Sequence, residues 1–222
     1  TNDSSSFVNR NGENINRGHN FSMNFRMRWE IDTLTTLEFM PRFGFNKSHF
    51  ENNSYSETMG GYRDSELADR DSVNDQRSLS QSDAHGYNLS GRLSFSRAFK
   101  SDPRRRLSFS FNYSTNRNEE NGTSNDVLNF YRTGIRDSVR LQKDDNIRSG
   151  ASYNARVTYV EPLSDHYYLN FVYQYRYNNS NSDAYTYNID ENGEYVELDS
   201  LGLPVADENY SNVSRSRYQT HR

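Results

Sequence analysis

The sequence predicts an all-β chain in which six or seven long antiparallel strands form the wall of a transmembrane β-barrel, with short periplasmic turns and long extracellular loops. Three observations predict it. Apolar residues alternate with polar ones at a period of two in six separate segments. The segments approach the roughly 9–11 residues needed to cross an outer membrane, well beyond the roughly 5–6 of an ordinary strand. The connections between them are alternately short and long.

In chain order, the first strand places Phe21, Met23, Phe25, Met27, Trp29 and Ile31 on one face, with Asn20, Ser22, Asn24, Arg26, Arg28 and Glu30 on the other. The second carries Leu37, Phe39, Pro41, Phe43 and Phe45, and the third Tyr87, Leu89, Gly91, Leu93 and Phe95. Leu107, Phe109, Phe111 and Tyr113 mark the fourth, and Ala151, Tyr153, Ala155, Val157 and Tyr159 the fifth. The sixth has Leu169, Phe171, Tyr173, Tyr175 and Tyr177, and the chain reaches a possible seventh near His221 and Arg222.

Short connections are expected near Asp32 and Thr33, from Lys100 to Arg106 and from Pro162 to Asp165; long polar ones are expected over 47–84, 117–147 and 179–212. Antiparallel strands reverse direction, so all short turns fall on one rim and all long loops on the other. Lipid offers no hydrogen bonds, so a membrane-crossing sheet must pair its own amides while its outward side chains meet hydrocarbon. Trp29, Tyr87, Tyr113, Tyr159 and Tyr177 lie near strand ends, as an interfacial aromatic girdle requires. Alternation alone also fits a soluble β-sandwich with apolar faces packed together, but a sandwich has no reason to keep its long connections on one rim.

The composition excludes several function classes. The chain has 222 residues and no Cys, so disulfides, thiolate metal sites and cysteine nucleophiles are absent. Mean hydropathy is −1.10 and only 32% of residues are hydrophobic, too few for a conventional core of this length. Aromatics nevertheless make up 14%, unlike a disordered chain. No apolar run is long enough for a transmembrane helix, and no signal peptide opens at Thr1. The net charge of −4 argues against nucleic acid. Gly-x-Ser-x-Gly, phosphate-loop and dinucleotide motifs are all missing, and His19, His49, His85, His166 and His221 are scattered. No enzyme activity, catalytic residue, cofactor or metal is therefore expected.

Arg26, Arg28, Arg92, Arg148, Arg156 and Arg176 share the polar parity and are the candidate lumen-facing residues, able to pair with carboxylates of a plug or with an anionic substrate; a hydrated wall is the plainer reading. Tyr62, in the 47–84 loop, and Tyr185, Tyr187 and Tyr195, in the 179–212 loop, are candidate ligand-contact residues, since tyrosine stacks on sugars and heterocycles. The 179–212 segment has eight acidic residues and no Lys or Arg. It reads most simply as a hairpin turning at Asn192-Gly193 between Tyr185-Tyr187-Ile189 and Tyr195-Val196-Leu198, and alternatively as a cation site without calcium-loop spacing. Arg104, Arg105 and Arg106 are expected on a solvated periplasmic rim.

Asn16-Arg17-Gly18-His19-Asn20-Phe21 running into Met27-Arg28-Trp29-Glu30-Ile31-Asp32, then Leu37-Glu38-Phe39-Met40-Pro41, and Tyr159-Val160-Glu161-Pro162-Leu163-Ser164 before Tyr168-Leu169 resemble outer-membrane β-barrel proteins of Bacteroidetes-type bacteria that are similar to TonB-dependent receptors. The motifs are short, and their order over most of the chain carries the resemblance. It implies a barrel of about twenty-two strands around an N-terminal plug. Residues 1–222 would then be one partial outer-membrane barrel domain, without plug, signal peptide or C-terminal strand. The implied location is the bacterial outer membrane. Implied partners are outer-membrane lipid, the plug of the same polypeptide, the TonB complex, a surface lipoprotein and a small-molecule, peptide or glycan ligand. The expected function is import of that ligand, the alternatives being a passive or assembly role without TonB, or a secreted carbohydrate-binding or adhesive sandwich.

Overall fold

The computed structural model describes residues 4–62, 71–131 and 137–222. The described residues form eight strands: β1 (Ser4–Asn24), β2 (Met27–Asp32), β3 (Thr35–Tyr62), β4 (Asp71–Phe99), β5 (Asp102–Phe130), β6 (Ser138–Pro162), β7 (Tyr168–Asn188) and β8 (Asn212–His221). All belong to one antiparallel sheet ordered β1-β3-β4-β5-β6-β7-β8, with β2 also on β3. No second sheet packs on it among the described residues, so the sandwich expectation does not describe this chain.

The cross-strand register carries the alternation of each strand across the whole sheet. Trp29, Leu37, Phe95, Phe109, Val157 and Tyr173 are successive partners in one row. Met27, Phe39, Leu93, Phe111, Ala155 and Tyr175 form the next row. One apolar face results. Only Met59 and Ala98 are buried hydrophobics among the described residues, while Phe21, Trp29, Phe43, Tyr87, Phe171 and Tyr173 are exposed. A contiguous bare apolar face of this extent is what hydrocarbon covers in a membrane wall. Neighbouring rings stack along it, Phe111 on Tyr153 at 6.2 Å and Tyr153 on Tyr177 at 5.8 Å. The Tyr113 ring lies over its cross-strand partner Gly91, where an added β-carbon would be 2.8 Å from that ring.

The structure corrects three sequence expectations. First, the strand expected over Phe21 to Ile31 is interrupted between β1 and β2, although Asn24↔Arg42 and Met27↔Phe39 keep a single register. The cause is Pro41: the Phe25 amide donates to the Pro41 carbonyl at 3.1 Å, but proline has no N–H to return the bond.

Second, the long loops expected over 47–84 and 117–147 are largely strand among the described residues, whereas of 179–212 only 179–188 extends β7 and 189–211 remains a looped segment. β3, β4 and β5 run to 28, 29 and 29 residues. Beyond the apolar belt their Ser, Asn, Thr and charged residues keep pairing on both sides. Loss of apolar alternation marks where the bilayer stops, not where the backbone stops pairing.

Third, the expected turn from Lys100 to Arg106 shrinks to Lys100 and Ser101, with Pro103 to Arg105 bulged between the Ala98↔Arg106 and Phe99↔Asp102 pairs. On this rim Arg104 bonds Asp102 at 2.9 Å and Asp165 at 3.1 Å, and Arg105 bonds Glu161 at 2.8 Å. The Arg104 guanidinium holds the Asp102 carboxyl below the usual carboxylate range. Arg104 and Arg105 of the basic run thus make ion pairs along the rim.

Candidate functional site

The side of the sheet opposite the apolar face is built from short polar side chains and arginines. Because residues two apart along a strand share a face, even-numbered positions from β1 to β7 converge on it. Met40, Arg92, Asn112, Asn154 and Arg176 are successive partners in one row, and Arg26 lies at its β1–β2 end. Arg28, Glu38, Ser94, Ser110, Arg156 and Gln174 form the next row toward the short turns. Arg148 stands apart, three rows toward the long-strand end, between Asn118 and Ser182.

Local bonds fix part of this surface. Arg26 bonds Glu38 at 2.5 Å, and Arg28 pairs with Glu30 at 3.2 Å. Arg92 donates to Asn112 Oδ1 at 2.9 Å, and Gln174 donates to Asn154 Oδ1 at 2.9 Å. Arg148, Arg156 and Arg176 have no acidic partner among the described residues. A concavity lined by Arg28, Glu38, Ser94, Ser96 and Arg106 opens toward the periplasmic rim, and another lies against Asn112, Asn154, Arg176 and Tyr218. Glu38 and Arg106 were absent from the sequence-based candidates, although their even parity was a readable signal.

Further out, the same face holds a denser network. Ser78 and Arg140 both bond Asp126, at 2.5 and 2.8 Å. Thr186 donates to Asp144 at 2.6 Å, and Asn188 donates to Asp207 at 2.8 Å. With Arg140 over the Tyr210 ring at 5.9 Å, these contacts pin the segment around Asp207 to Ser211 against the wall.

The tyrosine candidates divide. Tyr62 ends β3, and its side chain lies outside the described residues. Tyr185 and Tyr187, expected as one arm of a hairpin in the 179–212 segment, are in β7, where they pair with Asp145 and Lys143 of β6. Their odd parity puts them on the face that carries the apolar belt. Tyr187 meets Tyr195 edge to face at 5.5 Å, and Lys143 Nζ lies 5.2 Å from the Tyr195 ring centre. Burial, with Asp145 nearby, pushes the Tyr187 phenol up from its ordinary value.

The hairpin expected at Asn192-Gly193 is present: Ile189 bridges to Tyr195, and Gly193 has φ +81°. Asp190 Oδ1 accepts from the amides of Asn192 and Glu194, and the Glu194 amide in particular holds that carboxyl below the usual range. A second turn repeats the design: Leu198 bridges to Pro204, Asp199 Oδ1 accepts from the amides of Leu201 and Leu203, and Gly202 has φ +76°. The two Asp carboxylates organise turns, which accounts for part of the acidity of this segment.

A single sheet with one bare aromatic face, one polar face, strands beyond bilayer length and short turns on one rim defines the wall of a transmembrane β-barrel. Residues 97–203 match the model of a family described as outer membrane protein beta-barrel family, from the end of β4 through β5, β6 and β7 to the second tight turn. No curated protein and no solved structure matches the chain. The chain forms outer-membrane barrel wall and resides in the bacterial outer membrane, in contact with its lipid.

Proposed function

We propose that this wall serves an importer resembling TonB-dependent receptors, with the polar face lining the passage and the long strands presenting the ligand-capturing surface outside. Arg148, Arg156 and Arg176, which lack acidic partners among the described residues, support this reading most directly. Guanidinium groups on a lumenal wall suit the carboxylates of a plug or an anionic ligand passing it. The wall itself performs no chemical step. In this account the plug belongs to the same polypeptide, the inner-membrane TonB complex supplies the energy, and a surface lipoprotein hands over a small molecule, peptide or glycan.

Planar-bilayer conductance of the full-length protein tests the reading. A plugged importer gives little steady ion current, and loss of the TonB complex in cells reproduces the growth defect of losing this protein. A stable open conductance together with a growth phenotype independent of TonB would instead establish the passive barrel.

A further inference from the structure

The outward face changes character abruptly where the apolar belt ends on the long-strand side. The next outward residues after Phe21, Phe45 and Tyr87 are His19, Lys47 and His85, which the register places side by side across β1, β3 and β4. One row further, Arg17 faces His49. Asp83 takes His49 at 3.0 Å and Glu119 takes His85 at 3.4 Å, whereas Arg17, His19 and Lys47 have no ion pair among the described residues. The nearest acid on that face of β1 and β3 is Glu51, beyond His49. Lys47 and Arg17 are the formal charges of this cluster, diagonal to each other across β1 and β3, and neither is ion-paired among the described residues. All three side chains are exposed.

Position identifies the anion. These groups stand on the lipid-facing side, immediately above hydrocarbon-facing rings, at the depth of the outer-leaflet headgroups. The anions at that depth are lipid phosphates, and basic side chains at a membrane surface attract them by about fivefold per Lys or Arg. Guanidinium, ammonium and imidazole N–H groups all donate to phosphate oxygens. We propose that Arg17, His19 and Lys47 form a binding site for the phosphate of an anionic outer-leaflet lipid, whose headgroup carries no cation of its own, fixing the height of the barrel in the membrane at β1 and β3.

The test uses full-length protein in nanodiscs of mixed phosphatidylcholine and phosphatidylglycerol, with retained lipids counted by native mass spectrometry. The native protein should enrich phosphatidylglycerol. Arg17→Gln and Lys47→Gln should each lower that enrichment about fivefold, while Lys100→Gln in the opposite turn leaves it unchanged. Equal retention of the two lipids by the native protein would overturn the proposal. So would undiminished enrichment in the Arg17→Gln and Lys47→Gln proteins, or inorganic phosphate abolishing the enrichment at constant ionic strength, which marks a free-phosphate site. If neither variant inserts, the native protein's preference, measured with and without phosphate, still decides.

Discussion

Phe111 sits midway along the apolar face, in the row between Leu93 and Ala155, and its ring stacks on Tyr153 at 6.2 Å and on Tyr113 at 6.3 Å. Arginine at the middle of a barrel's lipid face costs about 2–4 kcal/mol. Losing the two ring contacts adds about 0.5–1.5 kcal/mol each. Phe111→Arg is therefore expected to lose about 3–7 kcal/mol of stability in the bilayer. Ser94 lies on the other face, partnered by Glu38 and Ser110. An arginine there meets water and a carboxylate, so Ser94→Arg should stay within about 1 kcal/mol of the native protein. The assay is reversible urea unfolding of the full-length protein from lipid vesicles, followed by heat-modifiable gel mobility. Equal losses from the two substitutions would refute the assignment of faces.

Two further predictions concern local features. Gly91→Val places side-chain atoms where the Tyr113 ring now lies, with the β-carbon 2.8 Å from it. It should destabilise by about 1–3 kcal/mol, and a double-mutant cycle with Tyr113→Ala should recover much of that loss. The Asp190 carboxyl is held low by turn amides, so its contribution to the hairpin is fully present above the ordinary carboxylate pKa and fades as pH falls through the depressed folded value. The protection factors of the Asn192 and Glu194 amides, taken against intrinsic exchange at each pH, should fall on acidification, and Asp190→Asn should leave them low and insensitive to pH in that range.

The faces of the wall were legible in the sequence because lipid imposes a strict chemical alternation. Leu107 to Tyr113 and Tyr153 to Tyr159 announce both their strands and their orientation. The strand ends were hidden for the same reason. Ser80, Ser124 and Gln142 pair across β4, β5 and β6 in water, where nothing forces an apolar side, so their alternation is silent. The β1–β2 interruption depends on which residue faces Pro41, and only the register supplies that. The turn at Asp199 to Leu203 carries the same Asp-x-x-Gly spacing as Asp190 to Gly193 and was open to sequence reading. The partners of the polar-face arginines were not legible, because parity gives the face but not the row.

Cysteine scanning across Leu107 to Ser114 tests the two-faced wall most directly, since the native chain contains no cysteine to interfere. Spin labels at Leu107, Phe109, Phe111 and Tyr113 should be relaxed preferentially by oxygen dissolved in the bilayer, and labels at Ser108, Ser110, Asn112 and Ser114 by a water-soluble nickel complex. Strict alternation at a period of two is the predicted result. Uniform access of the nickel complex to all eight positions would contradict a membrane-spanning wall.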